Sequence, residues 1–411
     1  MIRKSLNNYV INISLLGDQL ERNIFLVINI ITLISTYFID FKAGTMASLI
    51  ILIALLLNSK CLKYLFMNKL FLIYVVTNMF SIYAYIFNER PIILFIKGLS
   101  YNLIPSLLFL LGADTAKKSD ATIFKRILVS NIIIMLFGFV VILFPSFEDS
   151  LGQENLAITD FGFRFGSYLT SLPLGSTIAS SIPILFMVAK KFKKPLVIIF
   201  AVVIIISLIL TMQRGAWIAG IISFLLSLIL KVRNSRHKIL TSFGILIMII
   251  FLITIFYFIY DIYFPDNLKL LLDRRLEDLD SSMFTSRTDQ WESAFDMFLK
   301  YPLGFGLGAA GNKASTYGLQ IIPDGNYFRI LLEIGIIGFI SFLFLNIKTM
   351  ILAIQKHQLY LAILLLSFLM HAVGTNVFDF YYSSFIYWFI LGYITYCDNK
   401  SKIHKEVYNK C

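Results

Sequence analysis

Apolar runs of about 15 to 24 residues recur along the whole chain, against the roughly 20 residues a helix needs to cross a bilayer. Hydrocarbon offers no water to backbone N–H and C=O groups, so such runs become helices that satisfy their own hydrogen bonds. The pattern predicts an all-α integral membrane protein, a single polytopic domain over 1–411, with about twelve transmembrane helices. The spans are 23–40, 45–58, 70–87, 92–112, 127–145, 171–189, 195–211, 214–230, 239–260, 326–346, 359–375 and 381–397. A hydrophobic content of 58% and a mean hydropathy of +0.81 exclude an ordinary soluble domain.

Basic residues give the expected orientation, because cytoplasmic loops are richer in Lys and Arg. With the N-terminus inside, the inner segments collect 24 of the 36 basic residues, among them Lys60, Lys63, Lys117, Lys118, Lys190, Lys191, Lys231, Arg233 and Lys356. Every short outer connection holds at most one, so both termini are expected in the cytoplasm. The net charge of +12 is then an orientation and lipid-headgroup signal, with no nucleic-acid partner implied. Cys61, Cys397 and Cys411 all fall on the inner side, where thiols stay reduced, and no disulfide framework or Cys-rich metal spacing arises. The first apolar run lacks a small-residue cleavage site and reads as a retained span.

The outer connections are where chemistry collects. One, about 146–170, carries Arg164 in Gly162-Phe-Arg-Phe-Gly166; the other, about 261–325, is the single long extracytoplasmic loop. Helical spacing of Leu268, Leu271, Leu272 and Leu279 predicts a short amphipathic helix on the bilayer. A second helix is predicted from a capping box at Ser286 and Asp289, with Trp291, Ala294, Phe295, Phe298 and Leu299 as one apolar stripe. That start puts Arg287 in the first turn, where a cation opposes the helix dipole unless an anion is bound. Arg214, in Thr211-Met-Gln-Arg-Gly-Ala-Trp217, sits at the outer edge of a span, where an arginine is costly without a partner. Guanidinium forks hold two phosphate oxygens at once, and no HExxH, DxD or paired-His pattern competes for that role, so no metal or other cofactor is expected. Asp324, in Asp324-Gly-Asn-Tyr-Phe-Arg329, is placed as a helix N-cap and as a base for a sugar hydroxyl. Asn326, Tyr327, Arg329 and Trp291 complete the expected substrate contacts. Glu333 needs a partner within its span, Arg329 or Arg214; Glu333, His371 and Asp379 are the alternative bases. Gly335 and Gly338 suit close helix packing.

Arg-Gly-Ala at an outer membrane edge, Ser286-Arg-Thr-Asp-Gln-Trp291 in a long outer loop, Pro302-Leu-Gly-Phe-Gly306, and Glu333-Ile-Gly-Ile-Ile-Gly338 together resemble the O-antigen polymerase/ligase superfamily. The resemblance implies a metal-independent glycosyltransferase of the cytoplasmic (inner) membrane that uses undecaprenyl-diphosphate-linked glycans as donor and acceptor. Arg214 and Arg287, with Arg164 less directly, match its outer-face arginines. It also implies membrane lipid, a flippase and a chain-length regulator as partners. Ligases of the superfamily show His-Asn where this chain has Asp324-Gly325, which favours a Wzy-type polymerase of O-antigen, capsule or exopolysaccharide repeats. A ligase, and in a different class a transporter or flippase of lipid-linked sugars, are the alternatives.

Overall fold

The structure is a computed structural model that describes residues 19–34, 43–87, 90–118, 122–143, 171–233, 282–310 and 325–397, with few exceptions, and isolated positions elsewhere. Its helices are α1 (19–34), α2 (Ala43–Leu57), α3 (Lys69–Phe80), α4 (Ile92–Gly98), α5 (Leu108–Lys117), α6 (Thr122–Leu143) and α7 (Ser171–Val188). There follow α8 (Lys194–Leu210), α9 (Arg214–Arg233), α10 (Ser282–Lys300), α11 (Asn326–Gln355), α12 (Leu359–Gly374) and α13 (Tyr381–Tyr396). Shorter helical turns join several of them, and a two-residue hairpin pairs Ile158–Thr159 with Gly162–Phe163.

Eleven of the twelve expected spans overlap a helix; 239–260 and the amphipathic segment around Leu268–Leu279 lie outside the described residues. Among the described residues, six helices are long and apolar enough to cross a membrane, or seven if the pair Met46–Leu57 and Ser59–Met67, bent by 93°, is one span. Lys194–Leu210 and Leu359–Gly374 are apolar but shorter. Helix length thus supports a multi-pass membrane protein without yielding the number twelve.

Packing is tightest where glycines face backbone. A Cβ on Gly112 of α5 would run into Phe389 of α13, and one on Gly392 of α13 would strike the Phe109 carbonyl, so these two helices touch along their main chains. Around that contact, Phe71 stacks on Phe109 with centroids 4.2 Å apart, and Trp388 meets Tyr74 at 4.9 Å. Several polar groups inside the bundle are bonded to one another: the Tyr382 hydroxyl donates to Asn131 Oδ1 at 2.9 Å, and Asn131 Nδ2 donates to Ser181 at 2.8 Å.

Contacts between connections define two poles. At one, Lys118 pairs with Glu21 at 2.7 Å, Arg126 donates to the Arg22 carbonyl, and Lys125 lies over the Phe192 ring. Lys356 donates to the carbonyls of Ile394 and Thr395, and Tyr396 packs on Tyr64, at the same pole. The inner-segment lysines of the sequence therefore cluster physically. At the other pole lie the start of α9, the end of α12 and the start of α11.

Two expectations about helix starts change. α10 begins at Ser282, not Ser286, because nothing from Ser282 to Thr285 breaks a helix; Arg287 is its sixth residue and lies beyond the first turn. The N-cap of α11 is Gly325, at φ +111°, with no side-chain cap, so Asp324 precedes the cap position.

Gly335 also departs from its expected role. It interrupts α11 at φ +70° and ψ −177°, a conformation open to glycine and strained for other residues. The two arms fold against each other, since Tyr327 and Phe342 approach to 6.4 Å between ring centroids. In an unbroken helix those 15 positions would span about 22 Å at 1.5 Å per residue. A Cβ on Gly335 would lie 2.7 Å from Gly304 N, so glycine serves both the turn and the close approach.

Candidate functional site

Gly304–Leu307 is buried against the break in α11 rather than projecting as an open loop, while Pro302 and Leu303 stay exposed. Phe305 N donates to the Leu332 carbonyl at 2.6 Å and Gly306 N to the Glu333 carbonyl at 3.1 Å. These bonds occupy carbonyls that the end of a helical arm leaves open. Ile336 N returns a bond to Pro302 at 3.0 Å, and Tyr85 donates its hydroxyl to Leu307 at 2.6 Å. Gly304, Gly306 and Gly308 all have positive φ, which is how the run threads between α4, α11 and Tyr85. Arg90 lies 3.4 Å over the Phe305 ring and 5.4 Å over Tyr301, and donates to the Phe305 carbonyl.

Beside this run, Glu333 finds its partner. Arg329 Nη1 stands 3.9 Å from Glu333 Oε2, one helical turn away, and both side chains are nearly inaccessible at 3% and 1% exposure. Asn102 joins them, accepting from Arg329 Nη2 at 3.1 Å and donating to Glu333 Oε2 at 3.3 Å. Ala310 N donates to the other carboxylate oxygen at 3.3 Å. Asn102 lies in the π-helical stretch Leu99–Leu103 between α4 and the turn before α5. Arg329 is thus engaged with a buried carboxylate, away from the expected substrate surface, and Glu333 is held as its counter-ion.

At the far pole, five separate segments converge. Met212 adopts φ +53°, a strained choice for a non-glycine residue, and turns the chain from α8 into α9 so that Arg214 opens the helix. Phe165 N bonds the Leu210 carbonyl at 2.9 Å, which brings the connection that carries Arg164 to this turn; Arg164 itself lies outside the described residues. Gly215 sits against His371 of α12: a Cβ there would be 2.9 Å from Cδ2 and 3.4 Å from Nε2 of the imidazole. His371 is fully buried, and neither ring nitrogen has a hydrogen-bond partner.

The start of α11 joins the same pole. Asn326, fully buried, accepts from Phe378 N at 2.7 Å, and Tyr327 donates to the Leu369 carbonyl at 2.8 Å, two residues before His371. Trp291 of α10 stacks on Phe328 with centroids 5.3 Å apart, and its indole nitrogen closes over Gly325. Of the predicted stripe on α10, Ala294 is buried and Trp291 and Phe298 are half-buried, whereas Phe295 and Leu299 point outward. Arg287 belongs to this docked helix, Asp379 closes the 3-10 turn Val377–Asp379, and Asp324 lies outside the described residues.

A cavity of about 260 Å³ opens between α11 and α12, lined by Tyr327, Leu343, Asn346, Ile347, Ile351 and Leu369 among others. Its walls are apolar, and Ile347 and Ile351 are about half exposed on the flank of the bundle. Tyr327 thus belongs both to the start of α11 and to this groove.

The structure brings together Arg214, His371, Asn326, Tyr327 and Trp291, and sets Arg329 with Glu333 in a separate buried network. Sequence reasoning missed Asn102, Arg90 and the strained Met212. Asn102 carried a readable signal, as an amide inside an apolar run needs a partner; Met212 carried none.

No curated protein matches the chain. Residues 198–343, from α8 to the long arm of α11, match the family described as O-antigen ligase, so over that stretch the chain is similar to the O-antigen polymerase/ligase superfamily.

Proposed function

We propose that the protein is a polysaccharide polymerase of the cytoplasmic membrane that joins undecaprenyl-diphosphate-linked repeat units at the outer face. The observation that carries this reading is the convergence of the Arg214 turn, His371, the start of α11 and the Trp291 helix at one pole, beside an apolar lateral groove. Arg214 and Arg287 grip the diphosphate of the donor, bidentate forks being suited to its oxygens. The groove, with Tyr327 at its edge, takes the first isoprene units of the lipid carrier. A hydroxyl of the acceptor repeat attacks the anomeric carbon of the donor glycan, the anomeric C–O bond to phosphate breaks, and undecaprenyl diphosphate leaves. Asp324 accepts the hydroxyl proton, help worth about 10²- to 10⁴-fold in rate. The arginines, rather than a metal ion, offset the charge that develops on the leaving group, and Trp291 offers a ring face to a sugar.

The test is chain length. Arg214→Lys and Arg287→Lys should each abolish most polymer while leaving the protein in the membrane, because an ammonium is only a point charge. Asp324→Asn should leave single lipid-linked repeats accumulated. Normal polymer from both lysine variants would refute the diphosphate grip. The family's description favours a second reading, transfer of finished glycan to an acceptor by a ligase. It predicts polymers of normal length that remain on undecaprenyl diphosphate when Arg214 is lost.

A further inference from the structure

We propose that His371 is a ligand of the anion at Arg214: its imidazole N–H, beneath Gly215, donates to a phosphate oxygen at the N-terminal turn of α9. The inference rests on the diphosphate site argued above and adds a residue from a different helix, which the family match does not reach. Three observations carry it. First, α9 is 20 residues long and Trp217 N bonds the Gln213 carbonyl at its start, so the amides of Gly215 and Ala216 in the opening turn have no acceptor within the helix. That end attracts anions through its amides and its dipole. Second, Gly215 has no side chain, so the His371 ring reaches the turn itself; any Cβ would contact the ring at 2.9 Å. Third, His371 is fully buried and neither nitrogen has a partner. Buried polar groups are nearly always bonded, and one that is not points to a role in binding or chemistry.

The same end of α12 holds Thr375, whose Oγ1 lies 3.9 Å from the Cβ position of Gly215. It also carries the Leu369 carbonyl that binds Tyr327, two residues from His371.

The experiment titrates the purified full-length protein in nanodiscs with inorganic diphosphate and, in parallel, with farnesyl diphosphate, reading affinity from ligand-induced thermal shifts. His371→Phe should weaken both ligands by about tenfold or more, the value of one hydrogen bond to a charged group. His371→Gln, which keeps an N–H donor at similar reach, should stay within about threefold of wild type. Gly215→Ala retains the imidazole but displaces it, and should match His371→Phe; this arm decides if the phenylalanine variant does not fold. If wild type binds diphosphate and Arg214→Leu abolishes binding, but His371→Phe and Gly215→Ala bind as wild type does, the His371 role is overturned and the diphosphate site stands. If wild type binds neither ligand, the diphosphate site falls, and His371 with it. A His371 dependence seen with inorganic diphosphate alone would mark an adventitious ion only and would also overturn the proposal.

Discussion

At the scale of single residues, burial decides which charges bind a substrate and which hold the protein together. Arg329 and Glu333 are both buried, and their charges are matched by each other, by Asn102 and by Ala310 N. Removing one partner leaves the other charge uncompensated, a loss of about 3–5 kcal/mol. Arg329→Leu should accordingly lower the unfolding midpoint of the detergent-solubilised protein sharply, and adding Glu333→Leu should recover part of the loss. Equal instability of the single and double variants would show that the pair is not the determining contact. Arg214 is half-buried at the start of a helix and lysine keeps its positive charge, which is why lysine replacement there is expected to affect chemistry while sparing assembly.

At the scale of elements, the break in α11 is the feature with the widest consequences. Without it, Asn326 and Tyr327 would stand beyond the end of α12; with it, they bond Phe378 and Leu369. A non-glycine residue at φ +70° costs on the order of 1–3 kcal/mol, and the Cβ would also meet the Leu303 and Gly304 backbone. Gly335→Ala should therefore abolish activity more severely than Gly338→Ala, whose Cβ would meet flexible side-chain atoms of Ile334 and Thr77. Spin labels at Tyr327 and Phe342 should report a separation well under the roughly 22 Å of a continuous helix. A distance near that value would mean that α11 is straight in the membrane. The stripe on α10 divides in a similar way. Trp291 and Ala294 dock on the bundle, which leaves Phe295 and Leu299 exposed.

At the scale of the whole molecule, the clustering of inner-segment cations at one pole agrees with the alternation of basic residues along the chain. Twelve crossings with both termini inside is our proposal for the topology. Cysteines placed at 146–170 and 265–300 should react with an impermeant thiol reagent in intact cells, and those at 190–194 and 231–238 should react only after permeabilisation. Phe305 and Leu307 should resist labelling from either side, because both are buried against α11 and Tyr85. Labelling of 190–194 from outside would invert the protein and remove the basis of the proposed site.

Helix positions were legible because each span must satisfy its own backbone in hydrocarbon, a local requirement written in consecutive apolar residues. The arginines were legible for a related reason, since a charge beside a membrane is costly and so conspicuous. The start of α10 was misplaced because a capping-box pattern is a weak local preference, and four residues without a breaker extend a helix past it. Gly335 was read as a packing glycine because packing and chain reversal ask for the same residue, and only the contact of Tyr327 with Phe342 separates them. By itself the chain determined the class of fold, the segments that form helices and the charged residues near the membrane surface, all set within one helix or loop. The Asn102 bridge between Arg329 and Glu333, and the meeting of Gly215 with His371, depended on contacts between residues more than 100 positions apart, and only tertiary packing decided them.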